Sequence, residues 1–491
     1  MSAPRYRGPV ARVLLVSTYE LGHQPLHVAS PTGALRRAGH AVRAADLAVA
    51  ALDPVDLDWA EAVAISVPMH TALRLALAAG ADVRRRRPEI PLCLYGLYAA
   101  VADAEDGAGR RLGVDLAVTG EYEPALLAWA DSLARRGARP PGARSVLSLG
   151  RTRFGPPGRR DLPPLERYAR LAVDGEQRLA GYVEASHGCA HRCRHCPVPV
   201  AYDGRTRLVG VETVVADVAE LRSMGARHVT FGDPDFLNGP HHARRVVDAV
   251  HGAFPDLTFD VTAKVEHVRR HADVWGRWRE AGLLFVVCAF ECATDEILRL
   301  LDKGHTVADE IEAVAVLRRA GVEPRPSLLP FTPWTTGDDV RAILDLVAYC
   351  DLVGNVDPVQ YAIRLLVPPG SLLLGSGALE GRLGPYDADG LSWTWCSPDP
   401  RLDALQQRLA TLAARAGEGG WPAGASYDAV RGATAAALGG VDAPPPTPPA
   451  RLRSSRAPDD RPRLTEAWFC CAEPTAAHFA AASDTASAGR S

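Results

Sequence analysis

Cys189, Cys193 and Cys196 lie in Gly-Cys-Ala-His-Arg-Cys-Arg-His-Cys-Pro, a C-x3-C-x2-C spacing. Three thiols within so short a stretch are not needed for a core. They suit a soft metal centre, since thiolates favour zinc and iron–sulfur clusters. Structural zinc sites close with four ligands, and clusters ordinarily take four cysteines. Here the local set stops at three, and a cubane held by three thiolates keeps one iron open to a chelating ligand. A zinc knuckle completed by His191 or His195 is the competing reading.

Other residues follow strands, where chemistry collects in α/β proteins. Gly232-Asp233-Pro234-Asp235-Phe236 follows the strand His228-Val229-Thr230-Phe231. Its carboxylates suit an ammonium group, and an Asp-Pro turn is the structural alternative. Phe290-Glu291-Cys292 follows the apolar run Leu283 to Val287, and Lys264 and Lys303 are the chain's two lysines. Arg325 and Arg364 interrupt apolar strands, where each points either inward to a carboxylate or outward at a strand end. Cys288 and Cys292 also have C-x3-C spacing, but the apolar strand makes them packing thiols. Near the C-terminus, Trp468-Phe469-Cys470-Cys471-Ala472-Glu473-Pro474 sets two thiols side by side. Adjacent thiols fit a strained disulfide, a redox relay or capture of a soft ion.

These residues need a frame. Residues 12 to about 135 alternate strands (Val13 to Val16, Ala62 to Val67, Pro91 to Gly96, Leu116 to Gly120) with helices, the pattern of a doubly wound parallel sheet. Residues 140–178, rich in Pro, Gly and Arg, predict a linker. From 179 the alternation resumes, with helices expected at 239–252, 270–281, 307–320 and 338–349. Strands are expected at 257–263, 322–329 and 355–366. This pattern predicts a complete or partial parallel β/α barrel. Leu402, Leu405, Leu409 and Leu412 mark a packing helix. The expected division is 1–139, a Rossmann-type domain; 140–178, the linker; 179–390, the barrel; 391–440, a helical region; and 441–491, a Pro/Ala-rich flexible tail.

The cysteine segment and its flanks resemble the radical S-adenosylmethionine (SAM) superfamily. Ser186-His187-Gly188-Cys189 is similar to its Ser-Arg-Gly-Cys entry, with His187 in place of Arg, and His195 stands where the family has an aromatic residue near the adenine. The resemblance implies a 4Fe–4S cluster on Cys189, Cys193 and Cys196, with SAM chelated to the open iron. It implies contacts to SAM or substrate from His195, Asp233, Asp235, Glu291 and Lys303. It also implies an external electron donor of flavodoxin or ferredoxin type. The first domain resembles the cobalamin-binding domain that precedes many such barrels, through Ile65-Ser66, Gly96 and Gly120-Glu121-Tyr122-Glu123. Ser66, Gly96 and Glu121 are therefore candidate cofactor contacts. The Asp-x-His-x-x-Gly signature is absent, so a degenerate domain that binds nothing stays open. His23, His27 and His70 are read as surface or loop histidines. The last segment resembles a radical SAM group ending in Cys-Cys-Ala-Glu-Pro, in which the second cysteine can be selenocysteine. That makes Cys470 and Cys471 candidate catalytic residues.

A net charge of −3 over 491 residues disfavours a general nucleic-acid or membrane-surface binder. No apolar run spans a bilayer, and ten cysteines, three of them clustered, fit a reducing cytoplasm. The expectation is a radical SAM enzyme acting on a small molecule, with cobalamin-dependent methyl transfer or rearrangement as the chemistry. The alternative is a non-enzymatic iron–sulfur or zinc protein, a redox sensor or soft-metal carrier working through Cys470 and Cys471.

Overall fold

The computed structural model describes residues 10–102, 108–136, 144–439 and 444–466. Cys470 and Cys471 lie outside the described residues.

The first sheet comprises β1 (Arg12–Ser17), β2 (Ala41–Asp46), β3 (Ala62–Ser66), β4 (Leu92–Tyr95), β5 (Leu116–Gly120) and β6 (Arg144–Ser148). Their spatial order is 2-1-3-4-5-6, and every pairing is parallel. The strands read as continuous apolar runs because both faces are covered. Leu14, Val16, Val63 and Ile65 enter one core, while Val13, Leu15, Ala62 and Ala64 enter the other. The order reverses at β1 and β3, where a doubly wound sheet opens its ligand crevice.

The second sheet is built mainly from β7 (Arg170–Val173), β8 (Glu176–Val183), β11 (His228–Phe231), β12 (Thr258–Ala263), β13 (Leu283–Glu291) and β14 (Glu323–Leu328). Between β8 and β11, a small antiparallel pair, β9 (Ser186–Gly188) and β10 (Thr206–Leu208), flanks the cysteine loop. A hairpin, β15 (Leu383–Asp387) with β16 (Ser392–Trp395), follows the barrel. The two-residue strand β17 (Arg463–Leu464) completes the order 14-13-12-11-8-7-17. From β8 to β14 the pairing is parallel, whereas β7 is antiparallel to both β8 and β17. Helices cover the outer face of this partial barrel, burying Val214, Val218, Val246, Val247, Ala313 and Val314.

Several expectations are corrected. The stretch read as a linker supplies β6 to the first sheet and β7 to the second. It also carries Arg159, a fully buried guanidinium. Arg159 donates to Asp217 (2.5 and 2.9 Å) and the Tyr182 carbonyl (2.7 Å) on the barrel, and to Gln24 (3.2 Å) beside β1. The strand expected at 355–366 is instead two 3-10 turns, Val353–Asn355 and Pro358–Ala362, with a single bridge from Arg364 to Phe331. Pro358 removes a ladder donor there. The helix expected at 270–281 is two short helices, Val265–Arg270 and Trp275–Glu280, the second burying Trp275 and Trp278. The Pro-rich segment from 444 is seated on the barrel as far as 466. Leu452 is fully buried, and Arg461 donates to Asp351 (3.0 Å) and Asn355 (2.6 Å). Among the described residues, no helix is long and apolar enough to cross a membrane.

Candidate active site

The carboxyl ends of both sheets open on one cavity of about 290 Å3. The first sheet contributes Glu20, His23 and His27 after β1, Met69 and His70 after β3, and Leu97 and Tyr98 after β4. The barrel contributes Thr230, Asp260, Val287, Arg325 and Ser327 from its strands, together with the cysteine loop. The three histidines read as surface or loop residues are therefore corrected. His23 and His70 are buried, and burial pushes each ring down to about 4, with a further lowering by His228 at His23. His27 is partly covered and lies 3.0 Å from Glu20.

Cys189, Cys193 and Cys196 all line this cavity. Gly188, with φ of +74°, turns the chain into the loop, and a Cβ there would meet the Arg205 carbonyl at 2.1 Å. Burial raises the Cys189 thiol to about 11 and also raises Cys193, against the lowering by Lys303 and Lys264. Half-buried to buried thiols that converge on one space need a bound cation to ionise, which a cluster supplies. The donor set fits a three-cysteine cluster.

The entry to the loop is held from both sides. Asp233 accepts from the Ser186 hydroxyl (2.5 Å) and the Ala185 amide (2.9 Å). Burial lifts its carboxyl to about 7, despite those bonds. His187 lies 3.3 Å from Glu121 and 3.2 Å from Glu184. Burial would lower its ring, but Glu121 and the neighbouring carboxylates raise it to about 9. The cation that the Ser-Arg-Gly-Cys pattern supplies as Arg is thus kept as an imidazolium. Asp235 caps the turn Phe236–Asn238 through the Leu237 amide, and its other oxygen lies 2.6 Å from His267 and 3.6 Å from His191.

Glu291 closes β13 at a register shift, with φ of +77°. That outlier aims the carboxylate at Lys303 (2.8 Å) and His195 (3.4 Å), all three lining the cavity beside the cysteines. Burial would raise the Glu291 carboxyl, but Lys303 and His195 hold it well below the carboxylate range. Lys264 also lines the cavity, with Nζ 3.1 Å from His191.

The structure separates the remaining candidates. Arg325 points inward to Asp357 (2.7 Å) and the Pro462 carbonyl (3.2 Å), whereas Arg364 reaches Asp403 (2.6 Å) and stacks on Trp395. Cys288 and Cys292 are buried in the barrel core. Ser66 is buried at the end of β3, and Gly96 (φ +120°) passes close to the Val67 carbonyl, so both shape the crevice floor. Glu121 meets His187 and so joins the first sheet to the cysteine loop. Sequence reasoning missed Glu20, Tyr182, Asp260, Asp357, Gln360 and Glu466 as cavity residues. Only strand-end position would have signalled Glu20 and Tyr182. Nothing local marks Asp260, which pairs with His228 (2.8 Å) inside the barrel.

A two-sheet protein with a three-thiol loop between its sheets is the class that fold and site define. Residues 183–347 match the family model of the radical SAM superfamily, so the chain carries a radical SAM domain, whose cofactors are a 4Fe–4S cluster and SAM. Among curated proteins, a tRNA-2-methylthio-N(6)-dimethylallyladenosine synthase of Chlorobium luteolum is 24% identical over 206 residues, 38% of this chain and 44% of that protein. The uncharacterized methyltransferase PH0819 of Pyrococcus horikoshii is 24% identical over 209 residues, 42% of this chain and 43% of that protein. The chain thus spans less than half the length of these relatives. Among solved structures, the cobalamin-dependent radical SAM enzyme OxsB, with aqua-cobalamin bound, superposes with a TM-score of 0.64 at 13% identity, over 83% of this chain and 67% of OxsB. The radical SAM methyltransferase TsrM of Kitasatospora setae, with cobalamin and a [4Fe-4S] cluster bound, gives 0.53 at 20% identity, over 68% of this chain and 72% of TsrM. These likenesses establish the fold, a parallel-sheet domain joined to a partial radical SAM barrel.

Proposed function

We propose that this protein is a cobalamin-dependent radical SAM enzyme that carries out methyl transfer or rearrangement on a small molecule. The observation that carries the reading is the single cavity joining the cysteine loop to the switch-point crevice of the first sheet. When bound, the reduced cluster supplies an electron that splits SAM into methionine and a 5′-deoxyadenosyl radical. The protein's own work is positioning and exclusion of water. Cys189, Cys193 and Cys196 would hold the cluster. Lys303 is raised and Glu291 lowered by their mutual contact, so the pair stays charged at neutral pH and offers fixed charge to the amino-acid end of SAM. His195 stands beside them as the planar group for the adenine.

Cobalamin would occupy the crevice after β1, β3 and β4, between His23, Met69, His70, Leu97 and Tyr98. OxsB and TsrM, whose structures contain cobalamin, share this two-sheet arrangement. A rim of buried neutral imidazoles and apolar side chains suits a large, mostly neutral macrocycle. Oxygen-sensitive chemistry of this kind, with an external flavodoxin- or ferredoxin-type donor, fits a reducing cytoplasm.

The test is anaerobic reconstitution with iron and sulfide, then SAM and a strong reductant, assayed for 5′-deoxyadenosine and methionine. Product is expected in the wild type. Cys193→Ala should lose bound iron and all cleavage. Iron and cleavage retained in that variant would refute the assignment, and uptake of zinc alone would favour the non-enzymatic carrier. Hydroxocobalamin retained through gel filtration tests the first domain separately.

A further inference from the structure

The C-terminal segment is built into the cavity wall. β17 pairs with β7, and Thr465 exchanges hydrogen bonds with the Arg170 backbone (2.8 and 2.9 Å). Leu464 and Glu466 then line the same cavity as the cysteine loop and Glu291. Glu466 accepts from the Tyr19 hydroxyl at 2.7 Å. It presses so closely on the loop after β1 that a Cβ at Gly22 would stand 2.8 Å from its side chain. The chain therefore reaches residue 466 between the two domains, at the cavity. Cys470 and Cys471 follow four and five residues later. At roughly 3.3–3.6 Å per extended residue, they lie within about 18 Å of Glu466. That reach spans a cavity of this size, and an extended Pro-bounded segment bearing two thiols is matched to a narrow polar cleft.

We propose that residues 467–474 turn into this cavity and that Cys470 and Cys471 form part of the reaction site, presenting thiols to the bound substrate. The proposal deepens the reading of the cavity as the site of chemistry, and it makes the tail a component of that site. It accounts for an anchor of this kind. Arg461, Arg463 and Thr465 fix the segment through backbone and buried polar contacts just before the thiols begin.

The experiment uses the full chain, anaerobically loaded with its cluster. Met69→Cys and Leu97→Cys place a thiol on the half-buried cavity wall, and Val55→Cys places one on the exposed surface of the same domain, where Val55 is 64% exposed. Each protein is treated with a short bismaleimide and mapped by peptide mass spectrometry, with iron content measured on the same sample. The expected result is a crosslink from Cys470 or Cys471 to either cavity position, at least tenfold more abundant than to the Val55 position. Equal crosslinking at the two kinds of position, or none at the cavity, would overturn the proposal. Low iron would instead count against the cluster assignment, because the crosslink reads the tail's position whether or not the protein turns over.

Discussion

The Glu121–His187–Glu184 clamp holds a charged imidazole against the entry to the cysteine loop, and its charge is set by pH. The ring's folded pKa, about 9, lies above the unfolded value of 6.5. Its stabilisation is therefore complete below about pH 6.5 and is lost as pH rises through about 9. A shift of that size corresponds to about 3 kcal/mol. Asp233, raised to about 7, adds a loss of the same sign at lower pH, so the comparison of two proteins is what isolates His187. His187→Arg keeps a cation that does not titrate in this range. Its denaturant midpoint should fall less than that of the wild type between pH 6.5 and 9, and identical slopes would refute the clamp. This position also shows where sequence succeeds. The Ser-x-Gly-Cys frame identified His187 as a departure from Arg, whereas Glu121 and Glu184, which make the substitution tolerable, come from two different domains and carry no local mark.

At the scale of elements, strands buried on both faces were legible and half-measures were not. β3, β11 and β13 appear in the sequence as apolar runs bounded by glycine or acid. β6 did not, because Arg144 to Ser148 sit at an exposed sheet edge, with Leu147 53% exposed. The run Tyr361 to Val367 misleads in the opposite sense. It is almost wholly buried, yet it lies along the barrel rim without a ladder. Burial writes the same apolar signal whether or not hydrogen bonds follow. β9 depends on a single backbone feature, the left-handed Gly188. Gly188→Ala places a methyl group on the Arg205 carbonyl, and backbone cannot swing aside as a side chain can. The strained conformation and the overlap together should cost about 1–3 kcal/mol. More tellingly, the variant should fold while failing to retain iron, because the cysteines follow directly. A fully loaded cluster in Gly188→Ala, read by iron and sulfide content, would show that β9 does not set the loop.

At the scale of the molecule, a partial barrel has two edges, and here the C-terminal segment deals with both. β17 covers β7 on one side. On the other, Arg325 of β14 donates to the Pro462 carbonyl, and Ser454 donates to Glu323 at the start of β14 (2.6 Å). Unpaired edges are sites of misassociation, so covering them stabilises and protects the sheet. Leu464 adds its side chain to a small core with Leu171, Val173, Leu284 and Phe285 at the mouth of the barrel. Arg461 fastens the segment through the Asp351 carboxylate and Asn355. Removing one partner of a buried ion pair costs about 3–5 kcal/mol, and Asp351, with its side chain 22% exposed, puts Arg461→Met at the lower end of that range. The loss should be local before it is global. Hydrogen exchange should speed up at Leu171, Ala172 and Leu464 in Arg461→Met, while the first sheet keeps wild-type protection. If the segment were an appendage, exchange at β7 would be unchanged and the melting temperature would not move. If it is the barrel's closing edge, β7 and β17 must loosen together, and with them the wall from which Glu466 faces the cysteine loop.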